Sequence, residues 1–144
     1  MDSKLVLQFF NEDIPFHHLI GLKVTSAADG KARSFLAYRP DFIGDASRPA
    51  LHGGVLATLV DVCGGAAVMS AIGPRDRIST IDFRVDFLRP GQPLDIFCDA
   101  LVTRIGARVA VASAVVHHGD PAQPVAEGKC VYDIRRNRTP PADE

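Results

Sequence analysis

The sequence predicts an α+β fold, a curved and mostly antiparallel sheet wrapped around one long central helix, and three observations carry that prediction. Residues 51–70, LHGGVLATLVDVCGGAAVMS, are almost all apolar or small. A helix apolar on nearly every side has to sit inside something. Ile81, Phe83, Val85 and Phe87 alternate with Asp82, Arg84 and Asp86, the period of a strand with one buried face. Most of the remaining chain consists of apolar segments punctuated by Gly and Pro, the material of a sheet.

Taken in order, residues 1–20 are expected to be helical, with a short helix over Phe16–Ile20 after Pro15. Leu22–Ala28 and Lys31–Tyr38 are predicted strands joined at Asp29 and Gly30, a pair that favours a tight hairpin. Arg39–Leu51, with Pro40, Gly44, Asp45 and Pro49, reads as a loop. The central helix follows and is expected to stop near Gly73 and Pro74. The alternating strand through Phe87 ends at Pro90 and Gly91, and three more strands are predicted over Leu94–Ile105, Ala107–His118 and Val125–Arg135. The tail, 137–144, is expected to fray.

One domain, 1–144, accounts for a chain of 144 residues with 47% hydrophobic and 23% charged residues. A net charge of -1 gives no electrostatic reason for a nucleic-acid or acidic-membrane partner, so a small molecule is the expected ligand. Cys63, Cys98 and Cys130 are odd in number and lack CxxC spacing, which argues for reduced, buried thiols rather than disulfides or zinc. The N-terminal apolar patch is interrupted by Asn11, Glu12 and Asp13, unlike a signal peptide, and the expected compartment is the cytoplasm. The 51–70 run approaches the length of a membrane span, but it carries Asp61 near its middle and lacks flanking anchors. A buried core helix is the better reading.

Asp61 is then the informative residue. A carboxylate inside an apolar helix costs several kcal/mol unless paired or solvated. A salt bridge to Arg84 or Arg77 would explain it structurally; a reaction would explain it functionally. Gly54, Ala57, Thr58, Gly64 and Gly65 surround it at helical spacing, a small-residue stripe that suits close packing or leaves space for a substrate. Gly53 and Gly54 stand at the helix start, where free N–H groups and the helix dipole favour negative charge, although two glycines also simply make a tight turn.

The pattern FIGD, LHGG, Asp61 seven residues beyond the second glycine, and then IDFRVDFLRP on the following strand resembles the hotdog-fold thioesterases, in particular the phenylacetate-pathway acyl-CoA thioesterase group. The resemblance covers nearly the whole chain. It implies a sheet wrapped around a helix, hydrolysis of acyl-CoA without metal or redox cofactor, and assembly as homodimers, combined further into homotetramers. It also implies that the Gly53 N–H polarises the thioester carbonyl, that Asp61 is nucleophile or general base, and that Thr80 assists. Many members carry Asn in the loop before LHGG, where this chain has Gly44, Asp45 and Ala46; either Asp45 is a shifted substitute that contacts substrate, or that polar contact is missing.

The chemistry agrees with the residues. A thioester has a good leaving group, so a catalyst mainly stabilises an oxyanion and delivers a nucleophile. Gly53 and Asp61 are eight positions apart, about 12 Å of helix rise, too far for both to touch one carbonyl. Two chains packed with antiparallel helices about a two-fold axis would bring the start of one helix beside the middle of the other.

His52 is expected to steady the turn or contact the substrate carbonyl. Gly54 and Thr58 are expected to line the substrate site, and Arg89 to meet CoA phosphate, as Arg135, Arg136 and Arg138 would if they are not simply solvated. His17, His18, His117 and His118 have no metal-ligand spacing and are expected at the surface. Two rivals to hydrolysis are a non-catalytic acyl-CoA-binding protein and an acyl-CoA hydratase, the latter disfavoured because no His with Asp or Glu pair surrounds the central helix.

Overall fold

The computed structural model describes residues 1–137; apart from Asn137, the expected frayed tail lies outside the described residues. Helices α1 (Ser3–Gln8) and α2 (Pro15–Ile20) flank a single π-helical turn at Phe9–Asp13, so the N-terminal segment is helical as expected. Strands β1 (Leu22–Ala28) and β2 (Lys31–Leu36) form the predicted hairpin. Its turn places Asp29 and Gly30 at φ 52° and 79°, the positive pair of a type I′ turn. The segment read as a loop is partly ordered: a 3-10 turn at Pro40–Phe42 precedes the short antiparallel pair β3 (Ile43–Asp45) and β4 (Ala50–Leu51). Runs this short carry no alternation from which a strand can be recognised.

Helix α3 spans Gly53–Ser70, ending before Gly73 and Pro74. Strands β5 (Arg77–Phe87), β6 (Ile96–Ile105), β7 (Val109–His117) and β8 (Ala126–Arg135) complete the sheet. Six strands lie in the order β1-β2-β6-β7-β8-β5, all neighbours antiparallel, and α3 packs across the concave side, as the sequence predicts. Close approach of helix to sheet is arranged by small residues. Ala110, Ala112 and Ala114 of β7 are 0–2% exposed, and a side chain at Gly128 of β8 would run into Val60 of α3. By length and composition alone α3 could cross a membrane, with mean hydropathy 1.5, but 61% of it is buried within the fold. All three cysteines are free and buried.

Burial departs from expectation in three places. The C-terminal half of α3, Cys63–Ser70, is wholly buried, but Gly54 is exposed and Ala57, Thr58 and Asp61 are half-buried, so the helix has an open strip toward its start. His17 and His117, expected at the surface, are 4% and 0% exposed. Each meets its polar requirement inside: His17 Nδ1 lies 2.7 Å from the Phe10 carbonyl, and His117 Nε2 lies 2.8 Å from Asp99. Finally, β5 is an edge strand whose apolar residues are not covered, with Ile81, Phe83 and Phe87 at 58%, 37% and 57% exposure. A bulge between Thr80 and Asp82 sets Ile81 aside from the ladder. Thr80 pairs with Tyr132 and Phe83 with Cys130, both buried residues; partners across a ladder share a face, so Thr80 and Phe83 both turn toward α3.

Candidate active site

The bulge is what brings Thr80 to the helix. Its hydroxyl donates to Asp61 Oδ1 at 2.8 Å, and among the described residues Asp61 forms no ion pair. Arg84 instead pairs with Asp86 at 3.3 Å, so the salt-bridge explanation of Asp61 does not hold. The carboxylate sits half-buried on the open strip, one oxygen engaged by a neutral hydroxyl and the other available.

Beneath Asp61 the helix is fixed by a residue that sequence reasoning missed. The Tyr132 hydroxyl donates to the Asp61 backbone carbonyl at 2.6 Å. Burial raises this phenol's pKa, with the neighbouring Cys130 as a lesser cause, so it remains a donor. Tyr132 also explains Gly64: a Cβ there would lie 2.6 Å from the phenol oxygen and 3.1 Å from Cys130 Sγ. At Gly64 the small residue therefore serves packing and leaves no space for substrate. A Tyr at an inward position of a period-two strand was the available signal, but its target on the helix is a matter of tertiary register.

The start of α3 forms a second group. His52 is the N-cap, and its Nδ1 accepts from the Gly54 N–H at 2.8 Å. This fixes the tautomer of a neutral ring, with the proton on Nε2. The Val55 N–H donates to the His52 carbonyl at 2.9 Å. Of the first three N–H groups of the helix, only that of Gly53 has no partner among the described residues, and it is the one at which helix dipole and open geometry coincide. The Thr58 hydroxyl donates to the Gly54 carbonyl at 2.8 Å. A cleft of about 450 Å³ opens here, lined by Leu51, Gly53, Leu56, Phe87, Leu88 and Arg89. Arg89 donates to Gln123 at 2.9 Å, and no carboxylate among the described residues neutralises it.

Gly53 and Asp61 are thus not brought together within one chain. Phe87 of β5 lies over Gly53, where an added Cβ would come 3.3 Å from its ring, while Thr80 of the same strand touches Asp61; α3 and β5 run antiparallel, with Gly53 at the start of the helix and Asp61 near its middle. Asp45 is committed to its own turn, accepting from the Ser47 hydroxyl at 2.6 Å and the Ser47 N–H at 3.0 Å. Those bonds, the hydroxyl's foremost, hold its carboxyl below the usual range, and no contact within the described residues joins it to Asp61. Burial pushes the Cys130 thiol up to about 11 and the Cys98 thiol well above its ordinary value, so neither is an activated nucleophile.

The sequence profile of the thioesterase superfamily matches residues 49–125, from just before α3 to the start of β8. A protein of Halobacterium salinarum is 35% identical over 145 residues, covering 94% of this chain and 95% of its own. The medium/long-chain acyl-CoA thioesterase YigI of Salmonella typhimurium is 31% identical, covering 81% of this chain and 84% of its own. Among solved structures, one of a thioesterase-superfamily protein superposes with a TM-score of 0.84 at 32% identity over 92% of this chain and 98% of its own. A variant of the phenylacetic acid degradation protein PaaI from Thermus thermophilus gives 0.72 at 26% identity over 83% and 98%.

Proposed function

Because the chain belongs to the thioesterase superfamily, we propose that it hydrolyses acyl-CoA thioesters to the free acid and CoA, using Asp61 of one copy and the Gly53 N–H of another. The contact that carries this reading is Thr80 Oγ1 to Asp61 Oδ1: an acid on an open helix strip, oriented by a hydroxyl and tied to no cation among the described residues.

In the reaction, the substrate carbonyl oxygen accepts from the Gly53 N–H, and the helix start stabilises the negative charge that develops there. Asp61 presents its free oxygen to the carbonyl carbon or to a water beside it. In the first route a carbon–oxygen bond forms to Asp61, the carbon–sulfur bond breaks, CoA leaves as thiolate, and water then cleaves the anhydride. In the second, Asp61 takes a proton from water as that water attacks, and the proton passes to the departing sulfur. Thr80 holds the carboxylate in place either way. His52 carries its proton on Nε2, next to Gly53 in the chain, and Arg89, with no acidic partner among the described residues, suits the phosphates of CoA.

Two copies are needed because Gly53 starts α3 and Asp61 lies near its middle, about 12 Å further along the axis. The uncovered edge of β5, with its exposed Phe83 and Phe87, supports such a pairing. Two β5 strands placed antiparallel about an axis near Phe83 and Arg84 set the Phe87 end of one, and with it Gly53, beside Thr80 and Asp61 of the other.

Release of free thiol from a range of acyl-CoAs tests the reading. Wild-type turnover that is lost in Asp61→Asn, with binding and folding retained, is the expected result. Binding without thiol release by the wild type would make the protein a non-catalytic acyl-CoA binder.

A further inference from the structure

Thr80 and Tyr132 stand directly opposite each other in the ladder between β5 and β8, and both turn toward α3. They close on the same residue. The Thr80 hydroxyl donates to the carboxylate of Asp61 at 2.8 Å, and the Tyr132 hydroxyl donates to its backbone carbonyl at 2.6 Å. One cross-strand pair therefore holds the acid by its side chain and by its main chain. One turn beyond Asp61 the helix carries Gly64 and Gly65. In helix geometry the Gly65 N–H is the partner of the Asp61 carbonyl and the Gly64 N–H the partner of the Val60 carbonyl, so the turn that carries the acid is closed by the residue type that supports a helix interior poorly. Gly64 is required there, because a Cβ would lie 2.6 Å from the phenol oxygen. Strand β8 reinforces the turn it weakens: Cys130 Sγ lies 3.6 Å from the Val60 carbonyl, and Tyr132 meets the next one. A buried phenol needs some acceptor; this one, 1% exposed, takes the carbonyl of the acid that its ladder partner also holds.

We propose that Tyr132 is a positioning residue for Asp61: by fixing the Asp61 carbonyl it holds the glycine turn of α3 against β8 and so keeps the carboxylate on the Thr80 hydroxyl. Buried beneath the helix, it touches no substrate and acts on the reaction only through Asp61. The inference rests on the hydrolytic reading above and adds a second hold on its acid.

Kinetics on a single acyl-CoA test it, with Tyr132→Phe keeping the ring and removing the donor. kcat should fall about three- to tenfold, the worth of one hydrogen bond, while KM stays within about twofold of the wild type. Combined with Thr80→Val, the change should cost less than the product of the two single effects, since either alone already releases the same carboxylate. Val24→Ala, which truncates a buried core residue of β1 and destabilises the fold at least as much, should leave kcat near the wild type. Unchanged kcat in folded Tyr132→Phe, effects that simply multiply, or an equal loss in Val24→Ala overturns the proposal. A second measurement does not depend on turnover. In protein labelled with 13C at the aspartate carboxyls, the Asp61 signal is the one missing from Asp61→Asn. In Tyr132→Phe it should move from its wild-type position toward that in Thr80→Val, and a signal left in place overturns the proposal too. A shifted signal in a protein that releases no thiol would strike the hydrolytic reading and leave the hold of Tyr132 on Asp61 standing.

Discussion

The Thr80 hydroxyl lies 2.8 Å from Asp61 Oδ1, so an exposed edge strand positions the one carboxylate of an otherwise apolar helix. Removing that donor while keeping its shape should misplace the acid without unfolding the protein. Thr80→Val is expected to lower kcat by about ten- to a hundredfold with KM little changed, the worth of one hydrogen bond to a charged group. Thr80→Ser should recover most of the loss. Steady-state kinetics on a single acyl-CoA check this, and equal activity of the Val and Ser variants would remove Thr80 from the site.

Gly53 is the first residue of α3, and His52 before it sits at φ -61° and ψ 134°, the extended geometry that a following proline demands. Gly53→Pro therefore deletes an N–H that has no partner among the described residues, at a position whose backbone accepts proline and where the exposed Phe87 ring has to give by only a few tenths of an ångström. The variant should lose about a hundredfold or more in kcat, as for loss of an oxyanion donor, while its thermal midpoint stays near the wild type. Unimpaired turnover would show that the oxyanion is held elsewhere.

At Gly64 a methyl group would press on the Tyr132 hydroxyl and Cys130. Gly64→Ala should cost about 1–3 kcal/mol of unfolding free energy, as overpacking does. Adding Tyr132→Phe should return part of that cost, making the two changes non-additive. Chemical denaturation of the two single variants and the double variant measures the coupling; simple additivity would contradict the packing described for this pair.

Asp99 of β6 accepts from Arg33 through two bonds, of 2.6 and 2.9 Å, and faces buried His117. The Arg33 hydrogen bonds first, then that of His117, hold its carboxyl below the usual carboxylate range. A folded pKa below the unfolded one gives stability that is fully present above the unfolded value, about 4, and is lost as pH falls through the folded value. Thermal midpoints recorded from neutral pH to pH 3 should fall in this acid window, and Asp99→Asn should flatten that part of the curve.

Much of this was legible in the sequence because burial writes itself into pattern. The apolar run of α3 demanded a wrapper, Asp29 and Gly30 marked their hairpin, and Asp61 stood out as a charge a packed core gains nothing from placing there, whereas Gly53 and Thr80 were singled out by the family resemblance and His52 by its place before the glycines. What was illegible depends on long-range register. The bulge between Thr80 and Asp82 changes which residues of β5 face the helix, although the alternation Ile81, Phe83, Val85, Phe87 runs unbroken in the sequence. Tyr132 reaches a carbonyl 71 residues away, and Asp45 is drawn into a local turn by Ser47. His17 and His117 looked like surface residues because a histidine satisfied by one carbonyl or one carboxylate leaves no periodic trace.

The central claim is that each site is completed by two copies, and mixing variants tests it most directly. Gly53→Pro and Asp61→Asn, each inactive alone, should exchange subunits to give mixed dimers holding one intact site. At equal amounts with random exchange, half the dimers are mixed and half their sites work, so about a quarter of wild-type thiol release is predicted. Activity that stays at the level of the separate variants, with exchange verified by native mass spectrometry, would contradict the shared site.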